Sequence, residues 1–267
     1  MTISQQKWEL DTQAYINVCN ITAALPRQQI YEFARGVNNL GLWNSMVCWP
    51  LRSSQNAGTG TTAYSLGGLG TFNGTLVGGP VWTSDGITFG GNTQYIDYSP
   101  RFSIDFTKGG YSVHAVWSGL GVAVSSGEGA FQLFTMFPNG ELQNSVTTGV
   151  LGGTTWIPQS RNYNGNRYWG NAGNLSISGN VGYGWNADTL TLQTNGANVP
   201  MEVTPSSTPA NGDYFIRTAG RNNTTVAATS RVSYLIAFPP NIGMTTGLMT
   251  SIYNTAKQTL GQGLLLP

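Results

Sequence analysis

Residues 81–120 read VWTSDGITFGGNTQYIDYSPRFSIDFTKGGYSVHAVWSGL. Three runs rich in β-branched and aromatic residues, GITF, TQYIDYS and YSVHAVWS, are separated by Gly, Asn, Pro and Lys-Gly-Gly. That punctuation marks strands joined by turns. In the third run Tyr111, Val113, Ala115 and Trp117 fall on one face and Ser112, His114 and Ser118 on the other, with Val116 interrupting the polar side. Near-alternation is what a strand with one face on a core requires.

Composition extends this to the whole chain. Glycine accounts for 36 of 267 residues, about twice the usual share. Helices disfavour glycine while tight turns and bulges use it, so the excess predicts many strands and many turns. Charged residues make up 9% of the chain, against roughly 25% in an average domain. A surface covered by Asn, Gln, Ser and Thr suits burial against neighbouring subunits or binding of neutral polar ligands such as sugars. Lys+Arg total 12 and Asp+Glu 11, with no run of either sign, so the basic patch that nucleic-acid binding needs is missing. No apolar run approaches the ~20 residues that span a bilayer. The opening MTISQQKWELDTQAY lacks the basic and then apolar pattern of a signal peptide, and the product is expected to stay at first in the cytoplasm of the cell that makes it.

Outward from the opening stretch, residues 1–10 read as an irregular polar arm and residues 11–18 as a short helix. Residues 26–39 form a clear helix, with Pro26 in its first turn and Ile30, Phe33, Val37 and Leu40 as one apolar stripe ended by Gly41. Residues 46–51 read as a strand, 52–62 as an irregular excursion, and AYSLGG and TFNGTLV as short strands. VAVSS, AFQLFTMF and LQNSVTTG follow as strands, with Pro138-Asn139-Gly140 a turn. Residues 156–186 are dense in Asn, Gly, Tyr and Trp and are expected to be loops and short strands. TLTLQTNGANVPMEV is a hairpin about Asn195-Gly196, DYFIRTAG a strand, 222–229 a polar turn, and SRVSYLIAF, the most apolar strand, is expected to be central. After Pro239-Pro240 the period becomes helical, with Leu248, Ile252, Tyr253, Ala256 and Leu260 on one face and Gly261 and Gly263 closing it. The chain thus divides into a helical N-terminal arm (1–42), a β-sandwich (43–240), and a C-terminal helix and tail packed on it (241–267).

The order of these elements resembles phage- and prophage-encoded proteins of the concanavalin A-like lectin/glucanase (LamG-like jelly-roll) superfamily. The residues that carry the likeness are Gly41, Leu42 and Trp43 leading into Trp49, Pro50 and Leu51, and Ala237-Phe238 leading into the helix of Leu248, Ile252, Tyr253, Leu260 and Gly261. Residues 52–82 depart from the family, with a longer Gly/Thr-rich passage. The resemblance implies an all-β fold: a two-sheet antiparallel jelly-roll sandwich with a helical N-terminal extension and a C-terminal helix. It also implies a structural or adhesive role on the exterior of a tailed-phage virion, as head decoration or tail adhesin. The partners would be other virion proteins, further copies of the chain, and a host-surface glycan.

The glucanase branch of that superfamily hydrolyses glycans with Glu-x-Asp-x-x-Glu, a spacing this chain lacks. Asp97, Asp105, Glu128 and Glu141 are isolated from one another in sequence, whereas glycoside hydrolysis needs two carboxylates within about 10 Å. A non-enzymatic protein is expected, with a depolymerase as the alternative. His114 is the only histidine and no G-x-S-x-G elbow accompanies it, so it reads as a hydrogen-bonded or exposed sheet residue. No phosphate-binding glycine loop, zinc set or Asp cluster occurs, and no cofactor or metal is expected. Cys19 and Cys48 read as two reduced, buried thiols, with a bridge between them the other option. Trp156, Arg161, Tyr163, Arg167, Tyr168 and Trp169 combine rings and guanidinium groups that can stack on sugar C–H faces and pair with hydroxyls. The same residue types dominate protein interfaces, and the two readings stand level.

Overall fold

A computed structural model describes residues 3–90, 93–104, 111–120, 130–138, 144–151, 155–161, 167–169, 179–186, 189–199, 212–218, 230–238 and 244–267. Two helices open the chain, α1 (Ile3–Val18) and α2 (Ala24–Asn39), and α3 (Thr246–Gln258) follows the last strand. The strands are β1 (Val47–Pro50), β2 (Thr62–Ala63), β3 (Gly74–Val77), β4 (Val81–Thr83), β5 (Gly86–Phe89), β6 (Tyr95–Ile104), β7 (Tyr111–Leu120) and β8 (Ala130–Pro138). They continue as β9 (Asn144–Leu151), β10 (Thr155–Arg161), β11 (Arg167–Trp169), β12 (Gly179–Asn186), β13 (Thr189–Thr194), β14 (Ala197–Asn198), β15 (Gly212–Thr218) and β16 (Ser230–Phe238).

Among the described residues these strands build two antiparallel sheets. Sheet A runs β14-β13-β12-β7-β16-β5-β4, with β1 also on β16, and sheet B runs β11-β10-β9-β8-β15-β6-β3-β2. Successive strands β5, β6, β7 and β8 alternate between the sheets, so each has at least one partner distant in sequence. Strand β16 pairs along its length with β7, while its other side is shared by β5 at residues 230–232 and β1 at residues 234–237.

The inner faces meet in a sandwich core. Val47, Trp49, Ile87, Phe89, Val113, Ala115, Val232, Leu235 and Ala237 of sheet A pack with Leu76, Ile96, Tyr98, Phe102, Tyr214 and Ile216 of sheet B. Trp49 links the two layers. Its ring centroid lies 4.2 Å from Tyr98 and 6.4 Å from Phe102, and its indole N–H donates to the Phe72 carbonyl at 2.6 Å.

A second core lies on the other face of sheet A. Cys48, Val116, Tyr234, Ile236 and Phe238 pack there with Trp8 and Ile16 of α1, Ile30, Phe33 and Val37 of α2, and Met249, Ile252 and Ala256 of α3. Val116 interrupts the polar side of its strand because that side is roofed by helices. Ser112 and His114 lie on the same roofed side, and both are buried.

Helix α1 begins eight residues before the expected start, so the polar arm is largely helical. Its sequence holds three Gln, one Lys, one Glu and one Ala, helix formers that write no strong apolar period. The Lys7–Asp11 pair at 2.6 Å, four residues apart, adds support along one side. Residue Pro100 lies inside β6 rather than ending it. There three residues of β6 face one of β15, between the pairs Phe102↔Tyr214 and Tyr98↔Ile216. At such a bulge a proline's missing N–H costs no ladder bond.

The hairpin at Asn195-Gly196 has φ of 51° and 78°, the two-residue turn that needs left-handed backbone at both positions. It docks on α3, where the Thr250 hydroxyl donates to the Gly196 carbonyl at 2.8 Å and the Gln193 amide donates to the Thr246 carbonyl at 2.9 Å. VAVSS, the 222–229 turn and the segment after Phe238 up to residue 243 lie outside the described residues.

Trp49→Ala removes the ring that joins the two sheets and orphans the Phe72 carbonyl. A loss of roughly 3–5 kcal/mol is expected, read as a fall in the urea midpoint at unchanged slope.

Candidate functional site

Five of the six residues singled out by sequence lie at one end of sheet B. Trp156 and Arg161 are on β10, Arg167, Tyr168 and Trp169 form β11, and Tyr163 lies outside the described residues. The two strands pair as Arg161↔Arg167, Ser160↔Tyr168 and Gln159↔Trp169. Arg161, Arg167 and Trp169 therefore share one register class, while Trp156 and Tyr168 share the other. The backbone brings five of the six to one sheet edge, on two short strands.

Four positions toward the middle of the same sheet, the outer face of β6 and β15 carries a second constellation. Along β6 the buried Ile96, Tyr98 and Phe102 alternate with the partly or fully exposed Tyr95, Asp97, Ser99, Arg101 and Ser103. Along β15 the buried Tyr214, Ile216 and Thr218 alternate with Asp213, Phe215 and Arg217. Cross-strand pairing then assembles the outward set. The Arg101 guanidinium lies over the Phe215 ring, 3.6 Å from its centroid, and the Arg217 guanidinium lies 4.5 Å from the centroid of Tyr95. Arg217 also donates from Nε to Asp97 at 3.0 Å. Arg101 is exposed, and no carboxylate pairs with it among the described residues.

A guanidinium stacked flat on a ring keeps its N–H fork in the plane of the stack and directed to solvent. Such a face presents planar donors, ring edges and a carboxylate held in place. It can bind hydroxyl or carboxylate oxygens of a ligand lying across the strands. Sequence reasoning missed this set because its members come from strands some 120 residues apart. The signal was present in the alternate positions of YIDYSPRF and DYFIRT, where Arg and aromatic residues fall on one parity.

His114 is not part of that face. It lies under the helices, with Nε2 3.2 Å from the Ser112 hydroxyl and Nδ1 without a hydrogen-bond partner among the described residues. Burial lowers its pKa to about 3. The pair looks like a base beside a hydroxyl nucleophile, but neither group is accessible and no carboxylate orients the ring. Cys19 and Cys48 are both free thiols and buried. Burial pushes the Cys19 thiol up to about 12 and raises that of Cys48, so neither is a ready nucleophile. Of the acids isolated in sequence, Asp97 is engaged by Arg217, and Asp105 lies outside the described residues. Among the described residues no three His, Cys, Asp or Glu side chains gather into a metal site, and no helix is long and apolar enough to cross a membrane.

No protein-family model matches the sequence, and no curated protein matches it. Solved structures do match in fold. The chain described as HCR/D-Sa-GBL1/C superposes with a TM-score of 0.55 at 10% identity, over 80% of this chain and 52% of that one. Trypanosoma rangeli sialidase in complex with the inhibitor DANA superposes with a TM-score of 0.51 at 9% identity, over 88% of this chain and 38% of that one. The present chain thus spans about two fifths of the sialidase. At these identities the likeness is one of fold: two antiparallel sheets layered as a sandwich, structurally matching concanavalin A-like domains.

Neutral histidine is favoured in the folded state and protonated histidine in the unfolded one. The stability held by an uncharged His114 is therefore complete above pH 6.5 and lost as pH falls from there toward 3. The slope is up to about 1.4 kcal/mol per pH unit. Urea midpoints at pH 7 and pH 5 should fall more steeply for the wild type than for His114→Gln. Equal slopes would show that His114 is not buried in its neutral form.

Proposed function

We propose that the chain is a non-enzymatic lectin-like module that holds a glycan on the outer face of sheet B, carried on the exterior of a tailed-phage virion. The observation behind the binding half is the Arg101–Phe215 and Arg217–Tyr95 pair of stacks on an exposed sheet face. Aromatic rings and forked donors are the two features a sugar's C–H and hydroxyl faces call for. The sandwich shared with a sialidase held with the inhibitor DANA is consistent with this use. The edge formed by β10 and β11 extends the same sheet and is the second part of the proposed surface, with Arg161, Arg167 and Trp169 on the register class that continues from Arg217 through Thr135 and Ser145, and Trp156 and Tyr168 on the other.

The non-catalytic half is supported by the spacing of Asp97 and Asp213, the two acids described on that face. Asp213 and the partner of Asp97, Arg217, are four residues apart on β15, which is roughly 13 Å of strand. Glycosidase carboxylates lie within about 10 Å, and Asp97 is tied to Arg217. The virion half rests on the sequence resemblance carried by Gly41, Leu42, Trp43 and the Ala237-Phe238 strand end. On that reading the partners are other virion proteins and further copies of the chain, with head decoration and tail adhesion both open to it.

A glycan array tests the binding half. The wild type should bind a restricted set of structures, and Arg101→Ala should weaken that binding about tenfold or more, the worth of a charge-assisted hydrogen bond. Flat signal from the wild type, or full binding by Arg101→Ala, contradicts it. Gold-labelled antibody should decorate the outside of purified particles, and particles without label would contradict the virion half.

A further inference from the structure

A cleft of about 350 Å³ opens between α1 and residues 64–73, the link between β2 and β3. Its size falls at the small end of ligand sites, which run from about 300 to 1,000 Å³. Lys7, Asp11 and Ala14 line one wall. The opposite wall comes from residues 64–73, with Gly67, Gly68 and Gly70 among those that line it. A Cβ on Gly67 would sit 2.2 Å from the Met46 carbonyl oxygen, and one on Gly68 would sit 2.6 Å from the Trp43 ring. Glycine at these positions lets the segment lie flat on the body of the protein and leaves space above it.

The segment is also held firmly. Ser65 and Asn73 close it, with the Ser65 N–H donating to Asn73 Oδ1 at 3.0 Å and the Phe72 N–H donating to the Ser65 hydroxyl at 2.8 Å. On the facing wall Lys7 Nζ and Trp43 Nε1 both donate to the same oxygen, Asp11 Oδ2, at 2.6 and 3.0 Å. Asp11 Oδ1 has no hydrogen-bond partner among the described residues, and neither has the Asn73 side-chain N–H₂. Asp11, an acceptor, and Asn73, with its amide donor, line one small cleft from opposite walls, and Lys7 Nζ reaches across to the Gly68 carbonyl at 3.3 Å. The cleft's one cation and one anion are already paired, so no net charge is left to select an ion.

We infer that this cleft is a second ligand site, for a single neutral hydroxylated ring such as one monosaccharide unit. Hydroxyl groups donate and accept, so one ring can satisfy Asp11 Oδ1 and the Asn73 amide together. An anion would meet Asp11, and an apolar ligand would strand both groups.

The test is a titration of the full chain with methyl glycosides of glucose, galactose, mannose and N-acetylglucosamine, followed by amide chemical shifts. At least one glycoside should shift the amides of Gly67, Gly68 and Gly70 and of α1 in a saturable way. Ala14→Trp, at an exposed helix position lining the cleft, should abolish those shifts. Leu10→Trp, also exposed on α1 but outside the cleft, should leave them as in the wild type, and so should Arg101→Ala. No saturable shift with any of the four glycosides overturns the inference. So does wild-type binding by Ala14→Trp, or loss of the shifts in Leu10→Trp or Arg101→Ala.

Discussion

Burial of one strand on both of its faces governs how the rest of this molecule is arranged. From Val232 to Phe238 every residue of β16 is buried. Val232, Leu235 and Ala237 face the other sheet, and Tyr234, Ile236 and Phe238 face the helices. A strand this apolar cannot sit in a sheet that shows one face to water. Each buried aliphatic or aromatic side chain is worth about 1.5–3 kcal/mol, so leaving three exposed would cost a large share of a domain's net stability. The helices at the two ends of the chain are therefore structural covers. Sheet A offers no open face where they lie, and surface for binding is left to sheet B and to the rims.

The same constraint explains why the irregular stretch after β1 is ordered. It fills the junction between the helical roof and the sheet with amides. Asn56 donates to the carbonyls of Pro50 and Tyr64 at 2.7 and 3.0 Å and accepts from the N–H groups of Ala57 and Tyr64. Gln55 donates to Gln29 of α2 and to the Leu260 carbonyl after α3, and its own carbonyl accepts from the Tyr15 hydroxyl of α1. Arg52 donates to the Leu260 and Gln262 carbonyls. One loop thus ties all three helices to the start of the sandwich. Most of its polar groups are bonded, as an unmet buried amide costs about 1–3 kcal/mol; Gln55 Oε1 is the exception among them.

Much of the fold was legible in the sequence. SRVSYLIAF stood out as central because both faces were apolar, and its bounds match β16. Asn195-Gly196 marked a hairpin because only a left-handed pair closes it, and Pro26 with the Ile30, Phe33 and Val37 stripe marked α2. Residue Val116, out of pattern in its strand, was the trace of the helical roof. What could not be read was pairing between distant strands. The stacks of Arg101 on Phe215 and Arg217 on Tyr95 depend on the register of β6 with β15, and no local period encodes that. The start of α1 was hidden for a different reason: its polar residues favour helix without writing a strong apolar stripe. The Trp- and Tyr-rich stretch from 156 reads as loops and short strands, but its glycine and asparagine content hides which parts are strand; pairing recruits TWIPQSR and RYW into β10 and β11.

Native-state hydrogen exchange is the most direct measurement of this arrangement. If β16 is sealed between the second sheet and the helices, the amides of Tyr234, Leu235 and Ile236 should open only when the whole molecule unfolds, with the same free energy as global denaturation. Exchange of those amides at a lower free energy, comparable to that of the outermost strand β4, would contradict the account.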